Sequence, residues 1–289
     1  MPNGGSAFWF GAGQVLAAAC FTGAFTLALL SNFVQSSKFK VQRNEINAFE
    51  HAAKSYLEGS VPGGGPRRTL LKKTDPARIL LLAGAVSLMF NLFQILRTGK
   101  RLPLYGVLES LTTICLVAAV CLCLRPFSPK TAEGTIGAGI LALLAALALF
   151  FPLSLNPDFF MYASPWVQAF FFLRLLSGGI VLYAGIRFSA SLAGRGRLSS
   201  GAPGLEVTYR FFLWASVLFL LSELSGSIWC LKGWGDSWRF SENFFQSTAL
   251  FFLMMLNFHL PPFLAKHGRR KCLLGVVSCA SILFFLIAP

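Results

Sequence analysis

Residues 166–186 read WVQAFFFLRLLSGGIVLYAGI, an apolar run interrupted by a single charge, Arg174. Twenty or so such residues in a helix, rising 1.5 Å each, match the roughly 30 Å of hydrocarbon in a bilayer. Seven further blocks of the same kind flank this one, at about 8–30, 79–96, 104–124, 136–153, 211–229, 244–260 and 272–288. Lipid offers no partner to a backbone N–H or C=O, so each block is expected to be a helix rather than an open strand. The expected fold is all-α: one polytopic membrane domain over residues 1–289, a bundle of about eight transmembrane helices with both termini outside.

Composition agrees with lipid as the solvent. The chain has 289 residues, of which 55% are hydrophobic and 12% charged, against about a quarter charged in a soluble domain. The formal charge of +14 invites a nucleic-acid reading, and the placement of the cations argues against it. The segments after the first, third, fifth and seventh blocks carry 9, 2, 4 and 4, making 19 of the 25 Lys and Arg. By the positive-inside rule these segments face the cytoplasm. The excess charge is thus mainly topological, and no nucleic-acid partner is expected.

Met1–Gly5 has no basic residue, and the apolar block after it is longer than a signal-peptide core, so a retained helix is expected there. The seven cysteines, at 20, 115, 121, 123, 230, 272 and 279, form no Cys-x-x-Cys pair. That spacing disfavours a thioredoxin-type redox pair, a zinc knuckle and a covalent c-type haem site. The polar stretch 31–78 reads as a basic cytoplasmic loop. Within it, Asn44–Leu57 has the thin apolar stripe of a surface helix, and Val61-Pro62-Gly63-Gly64-Gly65-Pro66 reads as a linker. Ala193–Arg210 reads as a second, Gly- and Ser-rich connector. Two external segments, Leu155–Pro165 and Cys230–Ser241, are rich in aromatics, as residues at a headgroup level are.

Ionisable groups within a bilayer each cost at least about 2.5–3.5 kcal/mol at a helix centre on insertion scales, so every one needs an explanation. Three qualify, Glu109, Arg174 and Glu223, all expected in the outer half of the membrane. Two readings stand side by side. In one, Arg174 pairs internally with Glu223 or Glu109 and binds nothing. In the other, its planar guanidinium answers an anionic ligand such as a carboxylate or propionate. Of the three histidines, His51 and His267 fall in basic loops, whereas His259 lies in the apolar context Met254-Met255-Leu256-Asn257-Phe258-His259-Leu260. A neutral imidazole there is a candidate ligand for haem iron, or a simple hydrogen-bonding group near a helix end.

The segment Trp234-Gly235-Asp236-Ser237-Trp238-Arg239-Phe240-Ser241, with His259 following 25 positions after Trp234, resembles the cytochrome c assembly family of haem-handling membrane proteins. The hallmark of that family is an external Trp-Gly-x-x-Trp-x-Trp-Asp loop with a membrane histidine one helix later. Arg101-Leu102-Pro103-Leu104 with Leu108-Glu109-Ser110-Leu111 is similar to its Pro-Leu-x-Asn-x-Tyr-Glu-Ser stretch, and Ser164-Pro165-Trp166 to the start of the helix before the tryptophan unit. The departures are specific. Phe240 and Ser241 replace the last Trp and Asp, Phe170 stands where an external histidine is usual, and Asn91 or a neighbour replaces an inner one.

The resemblance implies a carrier rather than an enzyme, working in a bacterial inner membrane. Haem would be its transient or weakly bound cofactor, with His259 the iron ligand. The aromatic platform would comprise Trp234, Gly235, Trp238 and Phe240, with Arg174 for a propionate and Glu109 beside it. Membrane lipid, another cytochrome c assembly membrane protein and apocytochrome c are the implied partners. Two alternatives differ in class: a haem-free accessory protein of the HemX-like branch acting by protein contacts, and a small-anion transporter using Arg174.

Overall fold

The structure, a computed structural model, describes residues 15–24, 26, 76–99, 102, 104, 106–124, 132–151, 164–193, 203–236, 242–260 and 268–287. Met1–Gly5, the proposed surface helix and linker of the 31–78 loop, Trp238 and Phe240 lie outside these residues. Eight helices and no strands occur among them: α1 (Val15–Ala24), α2 (Pro76–Gly99), α3 (Val107–Leu124), α4 (Ala132–Ala148), α5 (Pro165–Ala193), α6 (Pro203–Trp234), α7 (Glu242–Phe258) and α8 (Gly268–Ile287).

Local sequence explains several of the ends. Proline opens α2, α5 and α6, where its missing N–H would have had no intrahelical partner anyway. The Ser164 carbonyl accepts from the Gln168 amide and so starts α5. At the far end of α6, Gly235 has φ of 73° and donates its N–H to the Leu231 carbonyl. This left-handed stop is one glycine adopts without a Cβ penalty. After α7 the chain runs into Pro261-Pro262, which cannot continue a helix.

Five helices, α2, α3, α5, α6 and α8, are long and apolar enough to cross a membrane, and α1, α4 and α7 are shorter. The 17 residues of α4 and of α7 extend about 25 Å, the lower limit for a span. The helices α5 and α6 run past the apolar blocks from which they were expected, to 29 and 32 residues. Backbone hydrogen bonding continues through charged residues once these reach the headgroup level, so Arg187, Arg210 and Trp234 belong to helices rather than to connectors.

Consecutive helices alternate in direction, and contacts at both ends record it. At one end the Lys232 ammonium sits 5.1 Å from the centroid of the Trp166 ring, and the Gln246 amide donates to the Phe285 carbonyl. At the other, Arg78 Nη2 donates to the Cys123 carbonyl at 3.2 Å and the Tyr183 hydroxyl to Glu133 Oε1 at 3.1 Å. These are called below the tryptophan end and the basic end.

The central element is α5, which packs against α3, α4, α6 and α8. One apolar core joins α1 to α5 through Phe21, Leu81, Ile114, Leu122 and Leu141, and a second joins α5 to α8 through Phe188, Phe212, Phe219, Leu250 and Ile282. Close approach between helices is made by glycine: a Cβ on Gly179 would collide with the Val117 side chain and lie 3.1 Å from the Ile114 carbonyl. Helices in lipid associate through such small-residue contacts because burying apolar surface gives them no advantage over the lipid tails. Large apolar side chains such as Leu143, Trp214, Phe252 and Phe284 are meanwhile exposed. The molecule is a helical membrane bundle, apolar both in its core and on much of its outer face, with a small number of charged side chains buried between helices.

Candidate functional site

The polar centre of the bundle is built on three helices. Along α5 and α6 the contact is extensive, with Gly226 of α6 seated against the Phe170 ring of α5, and α7 packs on α8 while touching α6 only sparsely. Arg174 from α5 projects into the seam, where its Nη1 lies 3.5 Å from Glu223 Oε1 of α6 and 3.2 Å from Ser247 Oγ of α7. The triangle closes because Ser247 Oγ donates to the same Glu223 oxygen at 3.1 Å. Two rings wall the guanidinium, with centroids 5.3 Å away for Phe170 and 5.9 Å for Phe219. Phe170 packs in turn against Gly226, where an added Cβ would meet the ring at 2.9 Å.

Chemically, this is a cation neutralised by a carboxylate, with a hydroxyl bridging both and aromatic faces supplying further favourable contact. Of the two partners expected for Arg174, the structure pairs it with Glu223. Glu109 is fully buried in the first turn of α3 and forms no ion pair with Arg174. The hydroxyl of Ser247 was not anticipated, since serine is common in membrane helices and its position in Gln246-Ser247-Thr248 gives no hint of a charge partner.

The tryptophan end holds a separate aromatic ledge. Trp229 and Trp234 stack edge to face with centroids 5.1 Å apart, and Trp234 is 42% exposed as the last residue of α6. Gly235 follows in its left-handed turn and Asp236 is exposed. Trp238 and Phe240, the rest of the expected platform, fall outside the described residues.

His259 stands at the basic end, one residue past α7, its amide donating to the Met255 carbonyl. Its side chain is exposed. The 17 residues of α7 separate it from the tryptophan end by about 25 Å at 1.5 Å per residue. One porphyrin therefore cannot touch both. Asn91, the loosely aligned counterpart of an inner histidine, is buried on α2. Among the described residues, no three His, Cys, Asp or Glu side chains form a group that could hold a metal ion.

No family model matches the sequence, and no curated protein matches it. The resemblance thus rests on the residues quoted for it.

A second polar cluster, at the basic end, was not anticipated. Arg187, expected at the edge of a loop, is a buried residue of α5 only 7% exposed. Its Nη2 donates to the Gly204 carbonyl at 3.2 Å, and its guanidinium lies 5.9 Å from the centroid of the Tyr183 ring. Tyr183, itself fully buried, reaches Glu133 of α4.

Proposed function

We propose that this protein is a divergent membrane component of cytochrome c assembly that handles haem as cargo for c-type cytochrome biogenesis. It would act as a carrier rather than an enzyme, in a bacterial inner membrane, with another assembly membrane protein and apocytochrome c as partners. The observation that carries this reading is the layout of α6 and α7. An exposed tryptophan ledge ends one helix, an exposed imidazole ends the next, and the two lie at opposite ends of the bundle.

Such a layout suits two stations met in turn rather than one pocket. At the basic end the exposed His259 imidazole would offer one ligand to haem iron, with any second ligand supplied by a partner. At the tryptophan end the face of Trp234 can pack on a porphyrin without ligating it. Arg174 contributes to a propionate only if that carboxylate displaces Glu223. Its closed triangle with Glu223 and Ser247 is the observation that favours the second reading, a haem-free accessory protein of the HemX-like kind.

An absorption spectrum of the protein purified in mild detergent, with haem and reductant added, separates the two. The carrier reading expects a Soret band that His259→Ala removes and Trp234→Ala weakens. If the spectrum shows no haem at all, the haem-free reading takes its place.

A further inference from the structure

The basic end contains a buried cation that no acidic side chain among the described residues pairs with. Arg187 is 7% exposed, and both its Nε and its Nη1 are buried without a hydrogen-bond partner. The single bond it makes, from Nη2, goes to a neutral carbonyl, that of Gly204. A guanidinium in this position normally has a carboxylate or phosphate on its fork, since a buried charge is tolerated only when paired and hydrogen-bonded.

The nearby acids are engaged elsewhere. Glu133 accepts from the Tyr183 hydroxyl at 3.1 Å and forms no ion pair with Arg187. Glu206 is paired with Arg210 at 2.6 Å, and both are largely exposed. In sequence, the connections from α3 to α4 and from α5 to α6, 125–131 and 194–202, carry Arg125, Lys130, Arg195 and Arg197 and no Asp or Glu. Positive-inside topology accounts for cations in loops. It does not account for one buried in a helix with two donor atoms unpaired.

We infer that Arg187, beside Tyr183 and the first turn of α6, is the base of an anion site that takes a phosphate group at the basic end of the bundle. A planar fork with unpartnered donors matches tetrahedral phosphate oxygens. The Gly204 carbonyl that Arg187 contacts belongs to the opening turn of α6, and a helix N-terminus favours negative charge. The carbonyl itself is already saturated, because it also accepts from Thr208 Oγ1 at 2.9 Å. The phosphate can come from the headgroup of an anionic lipid or from a soluble phosphate. The inference is independent of haem.

The test is thermal unfolding of the full-length protein in detergent, titrated separately with phosphatidylglycerol, phosphatidylcholine and inorganic phosphate. Phosphatidylglycerol or inorganic phosphate should raise the unfolding temperature, and whichever acts identifies the source; phosphatidylcholine should act weakly. Arg187→Gln should weaken that response by about tenfold or more in apparent affinity, the loss of one charge-assisted contact. Arg210→Gln, which removes an exposed cation at the same end, should leave it unchanged. Glu133→Gln should bind at least as tightly as the parent. Should Arg187→Gln fail to purify, Arg187→Lys keeps the charge without the fork and should bind several-fold more weakly. The inference is overturned if neither anionic probe acts, if Arg187→Gln or Arg187→Lys responds like the parent, or if Glu133→Gln loses the response as Arg187→Gln does. That last result would mean the response reports the integrity of this end of the bundle rather than an anion held by Arg187.

Discussion

Arg174 contacts two other helices through one nitrogen, and removing either charge leaves the other stranded in a low-dielectric seam. Breaking a buried pair from one side costs about 3–5 kcal/mol, much of it the penalty on the charge left behind. Arg174→Ala is therefore expected to lower stability in detergent markedly, and Arg174→Ala with Glu223→Ala to recover part of the loss, as read by thermal unfolding. Strictly additive losses would show that the two side chains do not act as a pair. Ser247→Ala should cost less, about 1 kcal/mol, because a neutral hydroxyl is removed while the ion pair stays. From the sequence Arg174 could be picked out as needing an acidic partner, Glu223 or Glu109, since isolated charges in apolar runs have few alternatives. Arg187 could not, because a cation at the end of an apolar block reads as a loop residue unless the helix is seen to continue past it.

At the scale of elements, the crossing of α3 and α5 rests on Gly179, which leaves no room for a side chain between Val117 and the Ile114 carbonyl. The nearest Val117 atom is its Cβ, which no rotamer change moves, and the carbonyl belongs to a helix backbone that does not yield. Gly179→Ala is expected to destabilise the bundle by about 1–3 kcal/mol, the usual range for overpacking, and Gly179→Val by more. Gly204→Ala provides the contrast, because a Cβ there meets nothing within 4 Å; if both alanine variants melt alike, the close approach has no energetic weight. The ends of α5 and α6 illustrate the limit of hydropathy. Apolar blocks mark where lipid begins and stops, whereas a helix ends where its hydrogen bonding is capped, at Gly235 rather than at Trp229.

For the molecule as a whole, the alternation of basic segments and the antiparallel packing of consecutive helices predict one arrangement in the membrane, with the tryptophan end outside. An impermeant thiol reagent should therefore label Asp236→Cys in intact cells, above the labelling of the native thiols. It should label Gly204→Cys only after permeabilisation. Both positions are exposed at their respective ends. The opposite pattern would invert the bundle and put the tryptophan ledge in the cytoplasm, removing the basis for an external haem station.

The all-helical class, the existence of each helix and their alternating direction follow from the amino-acid sequence alone. Apolar runs in lipid have one satisfactory backbone solution, and the cations between them bias its orientation. Only the tertiary structure decided that Arg174 chose Glu223 over Glu109, that Ser247 closed the triangle, that His259 faces outward and that Arg187 is buried. These outcomes depend on how far each helix is rotated about its axis and which neighbours it meets. Hydropathy carries little of that information, because lipid-facing and interior positions in a membrane helix are nearly equally apolar.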